Sequence, residues 1–567
     1  MENQRTLLTF ALLAITAYLY IQWIDFSNPT IQTGQQAAIV ESSPSNVPEA
    51  SQASASIISS GDQGIPLAPV DLQAAIPSAV EVAPITDPSK LVTVDTDIVR
   101  AVINITGGVI ERLELKQEPV SIGKPDQGFA LLKNNPDEVF TAEDGLFAGG
   151  GLESANHQTN YSVEKNTYTL GSADSVSIPL RWTNEQGVEF TKTISFNRDS
   201  YIVDIDYEVS NKAETQWQGY LYAQFKRTQP EDSGGGFGRL PSYTGGAIYE
   251  QEEKYQKIDF KDMSEDTLDL DTNNGWVAMI QHYFVGAWIP VQGNKTFYTS
   301  VGRQANPQYR IGYKTKDAVV VAPGQSGSLS TKVFLGSKEQ SRLKRIEEDL
   351  GITGLALTVD FGWLTFIADP LFTVLNWIHD IVGNWGWSII LLTILIKAIF
   401  YPLSAASYKS MAGMKKLQPR MKTLKERYKD DKQKYQMEMM ALYKTEKINP
   451  AGGCLPILVQ IPVFIALYWA LLESVELRQA PFALWWTDLS APDPYYVLPV
   501  LMGASMWAMQ KLNPAAMDEI QRKVMMIMPI ALTFLFLSFP QGLVLYWVVN
   551  NVLSMTQQWF INKKYAV

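Results

Sequence analysis

Lys397 lies inside an apolar run, Trp387 to Leu403, with no acidic residue near it in sequence. A charge deep in a bilayer costs roughly 2.5–3.5 kcal/mol on insertion scales, so it must face a bundle interior or a water-filled cavity. Two plainer readings compete: a lysine that snorkels to the interface, or one paired with a carboxylate on another helix. Ile399, Phe400 and Tyr401-Pro402-Leu403 still follow the lysine, which weakens the first. No other apolar segment offers a central Asp or Glu for the second. A functional groove is therefore the first hypothesis. Thr393 stands one turn before Lys397 and Tyr401 one turn after. Gln460 lies between Val459 and Ile461, and Asn550, Asn551, Ser554, Gln557 and Gln558 form a polar stripe below Tyr546 and Trp547. Such residues can simply glue helices together. Converging on one side, they would line a hydrated indentation open to the cytoplasm and to lipid.

A second pattern lies between the apolar segments. Met411, Met414, Leu417, Met421, Leu424 and Tyr428 recur at three- and four-residue steps, as do Tyr435, Met439 and Leu442 after Asp430-Asp431. This predicts an antiparallel helical hairpin with Pro419 kinking its first arm. The methionines fit the seam between the arms, and also an adaptable surface for variable apolar segments.

Other chemistry is sparse. The single cysteine, Cys454, allows no intrachain disulfide and reads as a small packing residue. His157, His282 and His379 are far apart, and no zinc-spaced pair, G-x-S-x-G or P-loop occurs. No cofactor is expected. Residues 1–350 carry 28 Lys+Arg against 44 Asp+Glu, a net of −16, whereas 351–567 carry 19 against 14, a net of +5. An acidic soluble part joined to a basic-looped membrane part is implied. The acidic half argues against nucleic-acid binding.

The elements that must position these residues follow from periodicity. Residues 1–25 read as an uncleaved signal-anchor span, and 26–90, rich in Ser, Ala, Pro and Gln, as a flexible linker. Over 91–350 the period is two. Strands are expected at Thr96–Asn104, Val176–Trp182, Glu189–Phe196, Tyr201–Val209, Trp217–Phe225, Trp276–His282, Thr296–Gly302 and Ala318–Val321, a large β-sandwich closed by a helix over Glu339–Leu350. Ser233–Gly238 reads as a mobile surface loop. Residues 351–383 hold an amphipathic interfacial helix with Trp363 and Trp377. Further spans are expected at 384–403, 454–472, 495–510, 524–539 and 543–560, several shorter than the ~20 residues a bilayer needs. Short spans thin the local bilayer. The intervening 404–453 hairpin, 511–523 loop and 561–567 tail are basic: residues 404–450 hold twelve Lys+Arg against five Asp+Glu, whereas loop 473–494 has only Arg478. The positive-inside rule puts both termini in the cytoplasm and the β domain outside. The expected fold is thus a polytopic α-helical membrane protein of six spans plus a large periplasmic β-sandwich.

At this point the whole chain resembles the YidC/Oxa/Albino insertase family, in its Gram-negative form with a large periplasmic domain. The segments that carry the likeness are Tyr401-Pro402-Leu403, Leu417-Gln418-Pro419, Asn449-Pro450-Ala451-Gly452-Gly453-Cys454-Leu455-Pro456, Val475-Glu476-Leu477-Arg478-Gln479-Ala480-Pro481-Phe482 and Gly542-Leu543-Val544-Leu545-Tyr546-Trp547. The resemblance implies a five-helix insertase core and a super-sandwich β domain. Lys397 stands where the family places a charged groove residue, commonly Arg, and Trp547 where relatives carry a client-touching Tyr. The implied activity is insertion and folding of inner-membrane proteins in the bacterial inner membrane, alone or with the Sec translocon and without nucleotide hydrolysis. Lys397, Thr393, Gln460, Trp547, Asn550, Asn551 and Ser554 would line the substrate groove. Met411, Met414, Met421 and Tyr428 of the hairpin would receive clients first. Implied partners are nascent inner-membrane proteins, Sec translocon subunits, the ribosome, the signal recognition particle receptor and the lipid bilayer. The tail after Phe560 is short, and the basic ribosome-binding extension of some members is missing from it. Two other readings stay open. A tethered sugar-processing enzyme needs a carboxylate or histidine constellation in the β domain. A transporter or channel needs internal repeats, and none is visible in the five-span core.

Overall fold

The computed structural model describes residues 87–149, 153–230, 242–291, 293–302, 306–429, 431–446, 455–512 and 519–564. The expected anchor over 1–25, nearly all of the 26–90 linker, the Ser233–Gly238 loop and Cys454 lie outside these residues.

The β domain is two large sheets, eleven and eight strands, almost wholly antiparallel. All eight expected strand positions hold strands, with ends displaced by up to three residues. Strand Val188–Asn197 shows why: its residues alternate between buried and half-buried along the full length, so one face meets the core. The central pair of the larger sheet is Trp217–Thr228 against Val139–Ala148, and the smaller sheet is centred on Ser326–Ser337. The sheets meet face to face: Trp288 of the smaller packs its ring 5.6 Å from Phe225 of the larger. Between them lies a fully buried ion pair, Lys192 Nζ to Asp144 at 2.8 Å, with the Tyr207 hydroxyl donating to the same carboxylate at 2.6 Å. Lys192 also donates to the carbonyls of Gly107 and Gly108. Gly107 has φ +79°, and a Cβ there would lie 2.1 Å from the His157 carbonyl oxygen, so only glycine fits this turn. Such a pair is tolerated because its remaining lone pairs and protons are satisfied.

The helix Gln340–Leu350 leaves the domain, and Thr365–Val382 follows as the expected amphipathic helix. Its Ala368, Phe372, Leu375 and Ile378 are buried, while Phe366, Trp377 and Ile381 share an exposed face. The helical region continues with Trp385–Ile399, Tyr401–Arg427, Lys432–Thr445, Leu455–Glu473, Val497–Leu512, Glu519–Phe536 and Gln541–Lys564. The last of these packs against Trp385–Ile399, Tyr401–Arg427 and Val497–Leu512. Within the stretch expected to span over 384–403, the helix ends at Ile399 and the chain turns by 66° into the next helix. Pro402 explains the break, since it has no N–H to bond Ala398 and sits in the first turn of the new helix. Among the described residues no single helix is long and apolar enough to cross a membrane. The bent pair Trp385–Ile399 with Tyr401–Met414 reaches that length and composition together.

The β domain is fastened to the helical region by the segment after Leu455–Glu473. Arg478 pairs with Glu118 at 3.2 Å and donates to the Pro119 carbonyl, as does the Gln479 amide at 2.8 Å. Glu476 accepts from the Gln340 backbone N–H at 3.1 Å. It thereby caps a helix whose own N-cap residue, Glu339, makes no side-chain cap bond. Burial pushes the Glu476 carboxyl up to about 7, against its hydrogen bonds to two backbone N–H groups and with the help of nearby Glu339 and Glu118. Glu118 is raised for the same first reason, with Arg478 opposing. A folded-state pKa above the unfolded 4.5 means that the junction gains stability as pH falls from 7 toward 4.5 and loses it as pH rises through 7. Limited proteolysis of the full chain at this junction is expected to be slower at pH 6 than at pH 8. In Glu476→Gln the difference should shrink to the smaller part carried by Glu118. An undiminished pH effect in that variant would remove Glu476 from the account.

Candidate functional site

Helix Trp385–Ile399 has two faces. Trp387, Leu391, Ile394 and Leu395 are exposed, whereas Ser388, Ile389, Leu392, Thr393, Ile396 and Lys397 turn into the bundle. Lys397 is 7% exposed, so snorkelling does not describe it. It occupies the last turn, where a cation is favoured by the carbonyl end of the helix. Its ammonium donates to Ser554 Oγ at 2.8 Å, its one hydrogen-bond partner among the described residues. No described Asp or Glu pairs with it. The Ser554 hydroxyl in turn donates to the Asn550 carbonyl of its own helix at 2.7 Å. The Asn550 side chain accepts from the Gln460 amide at 2.5 Å. Three helices are thus joined by one polar chain, Lys397–Ser554–Asn550–Gln460. A small cavity opens beside it, lined by Ile396, Lys397, Phe400, Leu403, Ser404 and Gln460.

Not every expected residue belongs to this chain. Thr393 is buried, and its hydroxyl donates back to the Ile389 carbonyl at 2.6 Å. It is spent on its own helix. Asn551 points elsewhere: its amide donates to Ser505 Oγ at 2.9 Å on helix Val497–Leu512, which is helix-to-helix glue. Trp547 is half-buried in an aromatic cluster, 4.3 Å from the Phe464 ring and 5.2 Å from Phe536. Met421 of the hairpin is buried in the seam and accepts a long hydrogen bond from Tyr443 at 3.7 Å. Met411, Met414 and Tyr428 are half-buried, and the openly exposed methionine of the hairpin is Met437. Ser404, Phe400 and Leu403 were missed. Ser404, two turns beyond Lys397, was within reach of spacing, but the bend that brings Phe400 and Leu403 to the cavity was not.

This arrangement holds one buried cation with neutral hydrogen-bond partners beside a small cavity. The family model described as "60Kd inner membrane protein" matches residues 377–566, and that described as "YidC periplasmic domain" matches 91–374. A "Membrane protein insertase YidC" of Nitrosococcus oceani is 44% identical, covering 100% of this chain and 99% of the relative. Its counterpart from Pseudomonas fluorescens is 43% identical, covering 100% and 98%. A solved structure described as an active YidC insertase crystal structure with the first transmembrane domain resolved aligns at 19% identity and TM-score 0.38, over 82% of this chain and 92% of that one. With family models filling nearly all of 91–566 and relatives aligned from end to end, the chain belongs to the YidC family of membrane protein insertases.

Proposed function

We propose that this protein inserts and helps fold inner-membrane proteins through a hydrophilic groove centred on Lys397. The carrying observation is a buried lysine with a hydroxyl partner and a cavity beside it, at the end of a helix that breaks inside an apolar run. A client's polar segment enters from the cytoplasm, and the ammonium attracts its negative groups. Gln460, Asn550 and Ser554 offer it hydrogen bonds, and the aromatic cluster around Trp547 gives the apolar segment a surface to slide along. Short helices thin the bilayer and lower the barrier for short polar tails. Partition of the client into lipid drives release, so no nucleotide is consumed.

The basic loops support a topology with both termini and the 404–453 hairpin in the cytoplasm, where Met411, Met414 and Met437 meet clients first. The β domain stands in the periplasm, and Phe366, Trp377 and Ile381 lie on the membrane surface. Sec translocon subunits, the ribosome and the signal recognition particle receptor are proposed partners on the family's pattern. The test is reconstitution of the purified chain in nucleotide-free liposomes with a short single-span client, read by protease protection. Insertion above that of empty liposomes is expected, and it should survive deletion of 60–320. Insertion no better than empty liposomes would overturn the reading, and loss of insertion with 60–320 would make the β domain part of the insertion step.

A further inference from the structure

We propose that Arg310 and Lys226, on the outer face of the larger β sheet, form a binding site for a small hydroxylated anion, a molecule with a carboxylate or phosphate group beside a hydroxyl. The site lies in the β domain and does not depend on the groove reading. Residues paired directly across an antiparallel ladder point to the same side of the sheet. The register of strands Val139–Ala148, Trp217–Thr228, Gln308–Thr315 and Lys295–Val301 therefore sets Glu143, Gln224, Lys226, Arg310, Tyr298 and Ser300 on one face. Leu221, Ala223 and Phe225 point the other way, into the core between the sheets. Most of the polar face is spent on itself. The Tyr298 hydroxyl donates to Gln224 Oε1 at 2.7 Å, the Gln224 amide donates to Glu143 at 2.9 Å, and Lys226 pairs with the other oxygen of that carboxylate at 2.5 Å. Burial alone would raise the Glu143 carboxyl, but the charges of Lys226, His157 and Arg310 outweigh it and hold it well below its ordinary value, so the group is ionised.

Arg310 is not spent. It is 6% exposed, its Nε is buried with no hydrogen-bond partner, and among the described residues no carboxylate oxygen lies within 4 Å of its guanidinium. Lys226 stands directly opposite it in the ladder. Like charges so placed repel, and the carboxylate near them is already taken by Lys226 and Gln224. A guanidinium has five donors and no acceptor, and its fork matches a carboxylate or a phosphate in two parallel hydrogen bonds. Two residues earlier in the same strand, and so on the same face, Gln308 Oε1 is a buried acceptor without a donor, which a ligand hydroxyl would supply. A water satisfies one such atom but leaves the second cation uncompensated. Gly302 keeps the approach clear, since even a Cβ there would stand 3.5 Å from Arg310 Nη1. Lys226, Tyr298, Ser300 and Gln308 are half-buried, so the cluster reaches solvent around the arginine.

Calorimetric titration of the full chain in detergent with glucuronate, inorganic phosphate and glucose tests the site, and hydrogen exchange locates it. Glucuronate carries the anionic group and the hydroxyls, phosphate tests the other anion, and glucose has the hydroxyls alone. Wild type is expected to bind glucuronate or phosphate at least about tenfold more tightly than glucose, and the tighter of the two identifies the anionic group. The bound anion should slow exchange across 296–302 and 308–314. Arg310→Gln is expected to bring the anion down to the level of glucose, with Arg310→Lys between them because it keeps the charge and loses the fork. Should Arg310→Gln not fold, Lys226→Gln at its half-buried position replaces it and should weaken the anion about threefold or more. No saturable binding of either anion, equal affinity for anion and glucose, protection only outside these strands, or undiminished binding in Arg310→Gln would each overturn the proposal.

Discussion

Lys397→Glu is expected to cut insertion of an acidic-tailed client by roughly a hundredfold, with Lys397→Arg within about threefold of wild type and Lys397→Ala between them. The magnitude follows from moving one charge. A buried charge in a membrane segment is a matter of roughly 2.5–3.5 kcal/mol, and each 1.4 kcal/mol is about a factor of ten. Reversal replaces attraction for a client carboxylate with repulsion in a site where water screens little. It also sets a glutamate against Ser554 Oγ, whose proton is already committed to the Asn550 carbonyl. Arginine keeps the charge and can still donate to that oxygen, although its planar fork is larger than an ammonium and must enter the cavity beside Phe400 and Leu403. Complementation of an insertase-depleted strain, with protease protection of the client, measures all four proteins. Equal insertion by all of them would make Lys397 a structural residue.

The residue at the centre of this prediction was legible because its cost is local: a lysine in an apolar run needs an explanation wherever the chain goes. The strands were legible for a similar reason, since alternation over Glu189–Phe196 or Tyr201–Val209 belongs to one element and one face. Strand Val139–Ala148 was not. It is buried along its whole length, so it has no alternation, and Thr141, Glu143 and Asp144 make its middle look like a loop. What allows them inside are partners distant in sequence, Lys226 for Glu143 and Lys192 for Asp144. The polar stripe of the last helix was read correctly as a stripe, but its division was out of reach. Asn550 and Ser554 face Gln460 and Lys397 while Asn551 faces Ser505, and one residue of rotation decides between groove and glue. The junction around Glu476 and Arg478 was noticed only as part of a family segment. Its partners, Glu118 and Gln340, come from 360 and 136 residues away.

That same junction carries a large stability effect outside the groove. Lys338, directly after strand Ser326–Ser337, places its ammonium 3.5 Å from the Glu473 carboxylate, and the two side chains are 2% and 4% exposed. Burial pulls the Lys338 pKa below its ordinary value, and the Glu473 charge acts against that pull. Glu473→Ala leaves the cation buried with the Thr358 carbonyl, 3.1 Å away, as its hydrogen-bond partner and with the charge of Asp360, already paired with Lys257, to offset it. Breaking a buried pair from one side costs about 3–5 kcal/mol. Removing both charges, as in Lys338→Met with Glu473→Leu, should cost little, because the desolvation penalty goes with the attraction. Hydrogen exchange of the full chain separates the cases: Glu473→Ala is expected to speed exchange across 351–361 and 474–480, and the double variant to restore wild-type protection. If the single variant exchanges like wild type, the pair does not hold the seam. The groove chain Lys397–Ser554–Asn550–Gln460 shares no residue with this seam, so the loosened single variant should still insert an acidic-tailed client within about twofold of wild type, as expected for sites that share no partners. A parallel fall in insertion, restored by the double variant, would mean instead that the stance of the β domain over the helices is part of the insertion step.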